Sequence, residues 1–383
     1  MIAGFDKYYQ IARCFRDEDL RADRQPEFSQ IDIEASFVEE QDVMNFAEEM
    51  ISESFQKILN KKLGKLPKLK WHDAMEKFGC DKPDLRNPLQ LVELSDIFKN
   101  EEFKVFSEPA NDKNSRIAAL IVPEGEKIGR GQIDRYTDFV KEFGAKGLAY
   151  IKVDGESIAD LSSPILKFLS KECLKNILTA LKVKKGDLIF FGAGKEKIVN
   201  DYMSRLIAKI GMDLNLLKDG FEACWITDFP MFEETSDGSL TSLHHPFTCP
   251  VETELEKLGK LSPLEINSKA YDMVINGVEI GGGSIRIHKK ALQEKVFELL
   301  GLSEDEAQKK FGFFLKTLTT GCPPHGGIAF GLDRLAMLMV GAESIRDVIA
   351  FPKTQSALCL LTEAPGSVTD ESLDELHISR KED

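Results

Sequence analysis

Arginines crowd the first stretch of this chain that could do chemistry. Phe15 to Phe28 is a charge-dense run in which Arg16, Arg21 and Arg24 offer planar guanidinium forks suited to phosphate or carboxylate. Just beyond it, Asp32 and Glu34 can accept from an ammonium group. A second constellation spans Tyr271 to His288, where Asn276-Gly277 between apolar flanks signals a two-residue hairpin turn. A regular hairpin sets Ile275 against Val278, Val274 against Glu279 and Asp272 against Gly281. Asp272 and Glu279 then share a face, about 7 to 8 Å apart at Cα. Two hard carboxylates with room for water suit Mg²⁺ better than zinc. Gly281 to Gly283 remove side chains where a ligand or another backbone must come close, and Arg286 alternates with Ser284 on one face. A third group, Gly331-Leu332-Asp333-Arg334, places Arg334 in a first helical turn, where the helix dipole favours anions. His244 and His245, adjacent on an extended segment, point to opposite sides and cannot easily share one ion; one of them should face a pocket.

Positioning these groups requires sheet. Tyr8 to Phe15 and Glu27 to Phe37 read as strands, the second alternating Phe28, Gln30, Asp32 and Glu34 on one face with Ile31, Ile33 and Ala35 on the other. Gln41 to Gly64 carries an amphipathic helix pattern closed by Gly64. Trp71 to Asn87 and Leu91 to Phe98 read as short helices around a Lys82-Pro83-Asp84 turn. From Glu101 the texture becomes alternating strand and helix signals, a separate α+β domain. Within it Gly192-Ala193-Gly194-Lys195 lacks phosphate-loop spacing and reads as a strand-to-helix turn. Trp225 to Phe232 reads as a strand, and Leu332 to Val340 as the helix after the last glycines.

Phe15-Arg16-Asp17-Glu18 and the loop it begins resemble motif 2 of the class II aminoacyl-tRNA synthetases, in the form found in bacterial-type aspartyl-tRNA synthetases. Gly326 to Leu335 resembles motif 3, and Gly281 to His288 the family's Gly-Gly-Gly-Ser-x-Arg-x-His phrase. Lys82 to Asn87, Gly144 to Tyr150 and Ile345 to Lys353 are similar to further phrases of that family, so the likeness covers essentially the whole chain. It implies an α+β fold, an antiparallel sheet flanked by helices, with an inserted α+β domain. The implied boundaries are 1–100 for the first catalytic part, 101–215 for the insertion, and 216–383 for the second catalytic part with a C-terminal extension. It also implies aspartate–tRNA ligase activity, with ATP as substrate, Mg²⁺ as cofactor, and L-aspartate and tRNA as partners. By that resemblance Arg16 grips the ATP α-phosphate and the substrate carboxylate, and Arg334 the γ-phosphate. Glu18 and Gln25 lie beside adenine, and Gly331, Leu332 and Asp333 belong to the same ATP site, Gly331 keeping its floor open. Gln30 and Asp32 face the α-ammonium group, His244 and Arg286 the aspartate, and Asp272 and Glu279 place the metal. A class II-fold amide ligase and a non-catalytic paralogue that binds an aminoacyl-adenylate are the alternatives; the insertion favours the synthetase over both.

The likeness begins at motif 2. Motif 1, the amino-acid-binding loop with its lysine, and the N-terminal anticodon-reading barrel are outside the chain, so Met1 reads as an internal methionine. The family's homodimer interface is built on motif 1. At 383 residues, 42% hydrophobic and 30% charged, the composition is that of a folded protein with a sizeable core. A net charge of −14 argues against a surface that grips nucleic acid everywhere, though not against a local basic patch. No apolar run approaches the ~20 residues of a membrane span, and Met1 to Asp6 lacks signal-peptide character, so the cytoplasm is the expected compartment. Seven scattered cysteines without a Cys-x-x-Cys pair favour neither disulfides nor zinc, and most read as buried thiols.

Overall fold

The computed structural model describes residues 1–17, 22–155, 157–235 and 237–381. Along the chain, β1 (Lys7–Phe15) and β2 (Glu27–Ser36) form an antiparallel pair. A helix, Glu40–Leu59, follows and turns Val43, Met44, Ala47, Ile51 and Phe55 inward. It closes at Asn60, which takes the left-handed conformation at φ 53°, rather than at Gly64. Asparagine tolerates that conformation and ends the helix first. After β3 (Lys68–Lys70), the helix Trp71–Phe78 stops at Gly79, and Leu91–Glu93 is a strand, β4, rather than the start of a helix. Strands β5 (Ser115–Val122), β6 (Ala149–Val153), β7 (Leu161–Ser162) and β8 (Leu188–Lys195) come next. Gly192 to Lys195 runs as the end of β8 directly into the helix Glu196–Asp213. The chain then forms β9 (Ala223–Thr227), the short pair β10 (Phe232–Glu234) and β11 (Leu240–Ser242), the hairpin β12 (Ala270–Ile275) and β13 (Val278–Ile285), and β14 (His325–Gly331). The expected strand from Trp225 to Phe232 is broken after Thr227, where Asp228 takes φ 55°.

Besides the β10–β11 pair, the strands of the described residues form two sheets, making this a mixed α+β fold built around a large antiparallel sheet flanked by helices. The larger has seven strands in the order β1-β2-β14-β13-β12-β9-β3, antiparallel except for the β3–β9 edge. The smaller is antiparallel, in the order β4-β5-β8-β6-β7. Apolar side chains cover both of its faces, which explains the unbroken runs Ile117 to Leu120 and Leu188 to Phe191. The larger sheet is two-faced. Trp225, Tyr271, Met273, Ile328 and Phe330 point into a core closed by the helix Glu40–Leu59, while positions on the other face of β2, β12, β13 and β14 form the floor of a cavity. Among the described residues no helix is long and apolar enough to cross a membrane.

The hairpin departs from a regular register. Ile275 pairs with Val278 and Val274 with Glu279, but then the ladder slips, so that Met273 faces Gly281 and Asp272 faces Gly282. The bulge is required by the core. Ile280 is 1% exposed among the apolar residues, and a Cβ on Gly281 would meet the Phe330 ring, so two consecutive residues face the same side. A regular strand would have put odd-numbered Glu279 and even-numbered Arg286 on opposite faces. The extra residue brings both to the cavity.

Candidate functional site

The cavity above the larger sheet holds about 510 Å³ and draws its walls from every segment singled out in the sequence. Arg16 and Gln25 come from the connection between β1 and β2, Gln30 from β2, and His244 from the segment after β11. The hairpin supplies Asp272 and Glu279, Arg286 follows it, and Gly331, Asp333 and Arg334 come from the end of β14 and the helix Leu332–Val340. Asp32 and Leu332 stand outside the lining. Glu18 and Arg21 lie outside the described residues.

Asp272 and Glu279 both reach over Gly282. A Cβ there would come within 2.6 Å of Asp272 Oδ1 and 3.7 Å of Glu279 Oε1, so the missing side chain is what gives the carboxylates room. Asp272 is buried and its Oδ1 has no hydrogen-bond partner; His244 Nε2 approaches it at 3.6 Å, beyond bonding distance. Burial raises the Asp272 carboxyl above its usual range, and the charges of Glu279 and Asp81 add to that, against the opposing pull of His244. For His244, burial acts downward, but Asp272, Glu279 and Asp81 outweigh it and its pKa rises. Glu279 is held differently. Lys82 Nζ lies 3.4 Å and Arg334 Nη1 3.9 Å from its Oε2, and Arg334 also donates to its backbone carbonyl at 3.0 Å. Among the described residues there is no cluster of three or more His, Cys, Asp or Glu donors. The protein therefore offers two carboxylates, one carrying an orphaned oxygen. That donor set fits an ion that brings its other oxygens with it, as Mg²⁺ does with water and phosphates.

At the other end of the cavity Arg286 is fixed on three sides. Its Nε and Nη2 donate to Glu34 Oε1 at 3.1 and 2.7 Å, and its Nη1 to Ser284 Oγ at 2.6 Å and to His245 Nε2 at 2.6 Å. Glu34 fits because its neighbour on β14 is Gly327, where a Cβ would lie 2.5 Å from the Glu34 carboxyl carbon. Burial, then the Arg286 and His244 charges, push His245 down to about 4, so at neutral pH it is an uncharged acceptor for the guanidinium. The adjacent histidines thus serve two different groups, both lining the cavity, where one was expected to face it.

The charged connection after β1 is strapped down from the C-terminal side. Arg334 donates to the Asp23 carbonyl at 3.2 Å and pairs with its carboxylate at 3.3 Å. Asp333 Oδ2 accepts from the Ser29 backbone at 2.8 Å. Gln25, 5% exposed, bonds through both ends of its amide to the backbone of Lys353, at 3.2 and 2.7 Å. Its amide fastens the connection to the C-terminal segment while the side chain lines the cavity. The Arg16 guanidinium lies 5.4 Å over the Phe28 ring.

Sequence reasoning passed over His245, Glu34, Asp81 and Lys82 as parts of one site. The alternation of β2 placed Glu34 on the polar face, which was a usable signal. The last two belong to a segment read as a turn between short helices and, from Lys82 on, as a phrase resembling the family, and nothing in their spacing ties them to Glu279. A family model described as tRNA synthetases class II (D, K and N) matches residues 1–355.

Proposed function

Since the chain belongs to the class II tRNA synthetases of the D, K and N group, a family of aminoacyl-tRNA ligases, we propose that its amino acid is L-aspartate, activated with Mg·ATP and passed to tRNA. The observation that carries this choice is the fixed guanidinium of Arg286 at the cavity wall. A carboxylate complements it. The amide nitrogen of asparagine would set N–H against N–H, and the ammonium of lysine would set cation against cation.

In this reading the α-carboxylate of aspartate attacks the α-phosphorus, aspartyl-adenylate forms, pyrophosphate leaves, and a tRNA ribose hydroxyl then takes the aspartyl group. The chain contributes positioning and charge stabilisation, with no covalent enzyme intermediate. Arg16 faces the negative charge that builds on the α-phosphate oxygens. Arg334, in the first turn of its helix, holds the γ-phosphate, where the helix dipole adds to its charge. Gln30 receives the α-ammonium group, with Asp32 next on the same face of β2 to add its negative charge, and His244 and Arg286 receive the side-chain carboxylate. Gln25, with Glu18, orders the adenine side above Gly331 and Asp333. Asp272 and Glu279 would hold Mg²⁺, which would supply positive charge against the triphosphate and the leaving pyrophosphate.

Calorimetric titration with sulfamoyl analogues of aspartyl-, asparaginyl- and lysyl-adenylate tests the assignment. The aspartyl compound should bind at least about thirtyfold tighter than either other, the weight of a charge-assisted hydrogen bond. Equal or tighter binding of the asparaginyl or lysyl analogue overturns it.

A further inference from the structure

The loop after the helix Trp71–Phe78 reaches the cavity from outside the larger sheet. Asp81 lines it, and Lys82 sends its ammonium to Glu279, 3.4 Å from Oε2. Arg334 approaches the same oxygen from another element, at 3.9 Å. Glu279 therefore sits between two cations, while among the described residues the basic group nearest Asp272 is the His244 imidazole, at 3.6 Å. The placement of Lys82 is built in. Gly79 ends the helix at φ 69°, and Asp84 accepts from the Arg86 backbone at 3.0 Å and from its guanidinium at 2.7 and 3.0 Å. The loop rests on the hairpin turn, where a Cβ on Gly277 would lie 3.3 Å from Asp84 Cβ and 3.7 Å from the Lys82 carbonyl.

An ammonium ion and a divalent cation compete for one carboxylate oxygen. Lysine suits such an exchange: it is a compact point charge on a flexible stem, and this side chain is 39% exposed. We propose that Lys82 is a positioning residue, the standing counter-ion of Glu279, which holds that carboxylate against free divalent cations and moves to the triphosphate when the metal arrives with its nucleotide. The site would then take its metal chiefly as the nucleotide complex, because only the nucleotide supplies a new partner for the displaced ammonium. This inference rests on Asp272 and Glu279 being the metal carboxylates.

Two titrations separate the claims: Mn²⁺ alone, followed by electron paramagnetic resonance, and Mg²⁺ with a non-hydrolysable ATP analogue, followed by calorimetry. Lys82→Met should bind Mn²⁺ alone about fivefold tighter than the wild type and the Mg²⁺–nucleotide about fivefold weaker, the size of a half-exposed ion pair. Lys82→Arg should return both constants toward the wild type, which separates a charge effect from local damage. An unchanged or weaker Mn²⁺ affinity, or an unchanged nucleotide affinity, in Lys82→Met overturns the counter-ion role. Glu279→Gln serves as the control on the premise. If it leaves the Mg²⁺ dependence of nucleotide binding intact, the metal reading itself fails; if it abolishes that dependence while Lys82→Met behaves as wild type, only the role of Lys82 fails.

Discussion

Glu34 spends a single oxygen on two N–H groups of Arg286, and its other oxygen is buried without a partner. That arrangement aims a guanidinium at the cavity instead of letting it pair away at the surface. Arg286→Ala should therefore weaken binding of the aspartyl-adenylate analogue by about 30- to 100-fold while ATP affinity changes less than about threefold, measured by parallel calorimetric titrations. Equal losses in both would place Arg286 outside aspartate recognition. His245, which accepts from the same guanidinium, carries a pH signature. Its pKa is about 4 in the fold against an ordinary 6.5, so between those values the unfolded chain binds more protons than the folded one. Stability from this group is complete above pH 6.5 and is lost as pH falls toward 4. Urea midpoints across that window should show His245→Asn losing stability more gently than the wild type, by up to about 1 kcal/mol per pH unit. Parallel curves would mean that the buried imidazole accepts its proton without cost.

At the scale of elements, the bulge in the β12–β13 hairpin is what assembles the cavity wall. Asn276-Gly277 was legible as a turn, and the first two pairs, Ile275 with Val278 and Val274 with Glu279, follow from it. The slip beyond them was not legible, because it arises from where Ile280 and Phe330 find room in the core, a contact between strands distant in sequence. Local chemistry was likewise enough for β2, whose two faces alternate, while β1 and the helix Leu332–Val340 stand where the strand and motif-3 readings put them. It failed at Leu91–Glu93, three residues whose strand character exists only by pairing with β5. Gly282 offers the test. Gly282→Ala places a methyl group 2.6 Å from Asp272 Oδ1, so the carboxylate must move or the strands must part. We expect Mg²⁺-dependent nucleotide binding to fall about tenfold and stability by about 1 to 3 kcal/mol, the usual cost of overpacking. Gly147→Ala, at a position with open space around it, should change neither. If Gly282→Ala binds Mg²⁺–nucleotide as the wild type does, the Asp272 carboxylate has no part in holding the metal.

Across the whole molecule, the two sheets are joined by a buried charge. Arg116, on β5 of the smaller sheet, donates to the carbonyls of Met75 and Glu76 at 3.2 and 3.0 Å, to Asn200 Oδ1 at 2.6 Å and to Glu93 at 3.0 Å. Two of those acceptors are carbonyls of the last turn of the helix Trp71–Phe78, at the negative end of its dipole, and the Met75 carbonyl also accepts from the Gly79 backbone at 3.0 Å. A Cβ on Gly79, just beyond, would come within 2.6 Å of the Asn200 carbonyl, so only glycine lets the helix end meet the smaller sheet's layer so closely. The same helix leads directly to Asp81 and Lys82 at the cavity, which makes Arg116 the point where the second sheet could stiffen the first one's site. Arg116→Met keeps much of the volume but removes every donor. It should cost about 2 to 4 kcal/mol, because the buried Asn200 side chain and the Glu76 carbonyl lose their donor and Glu93 loses its counter-charge. Arg116→Lys should recover only part of this, since one ammonium cannot serve acceptors spread around a planar fork. Urea unfolding followed by far-ultraviolet circular dichroism reads both sheets, and tryptophan fluorescence reads the helix start and the larger core, at Trp71 and Trp225. For Arg116→Met the two signals should separate, with loss of structure in the smaller sheet no longer coincident with the tryptophan transition. Coincident transitions at the wild-type midpoint would mean that the apolar contacts alone join the sheets and that Arg116 only fills its own space.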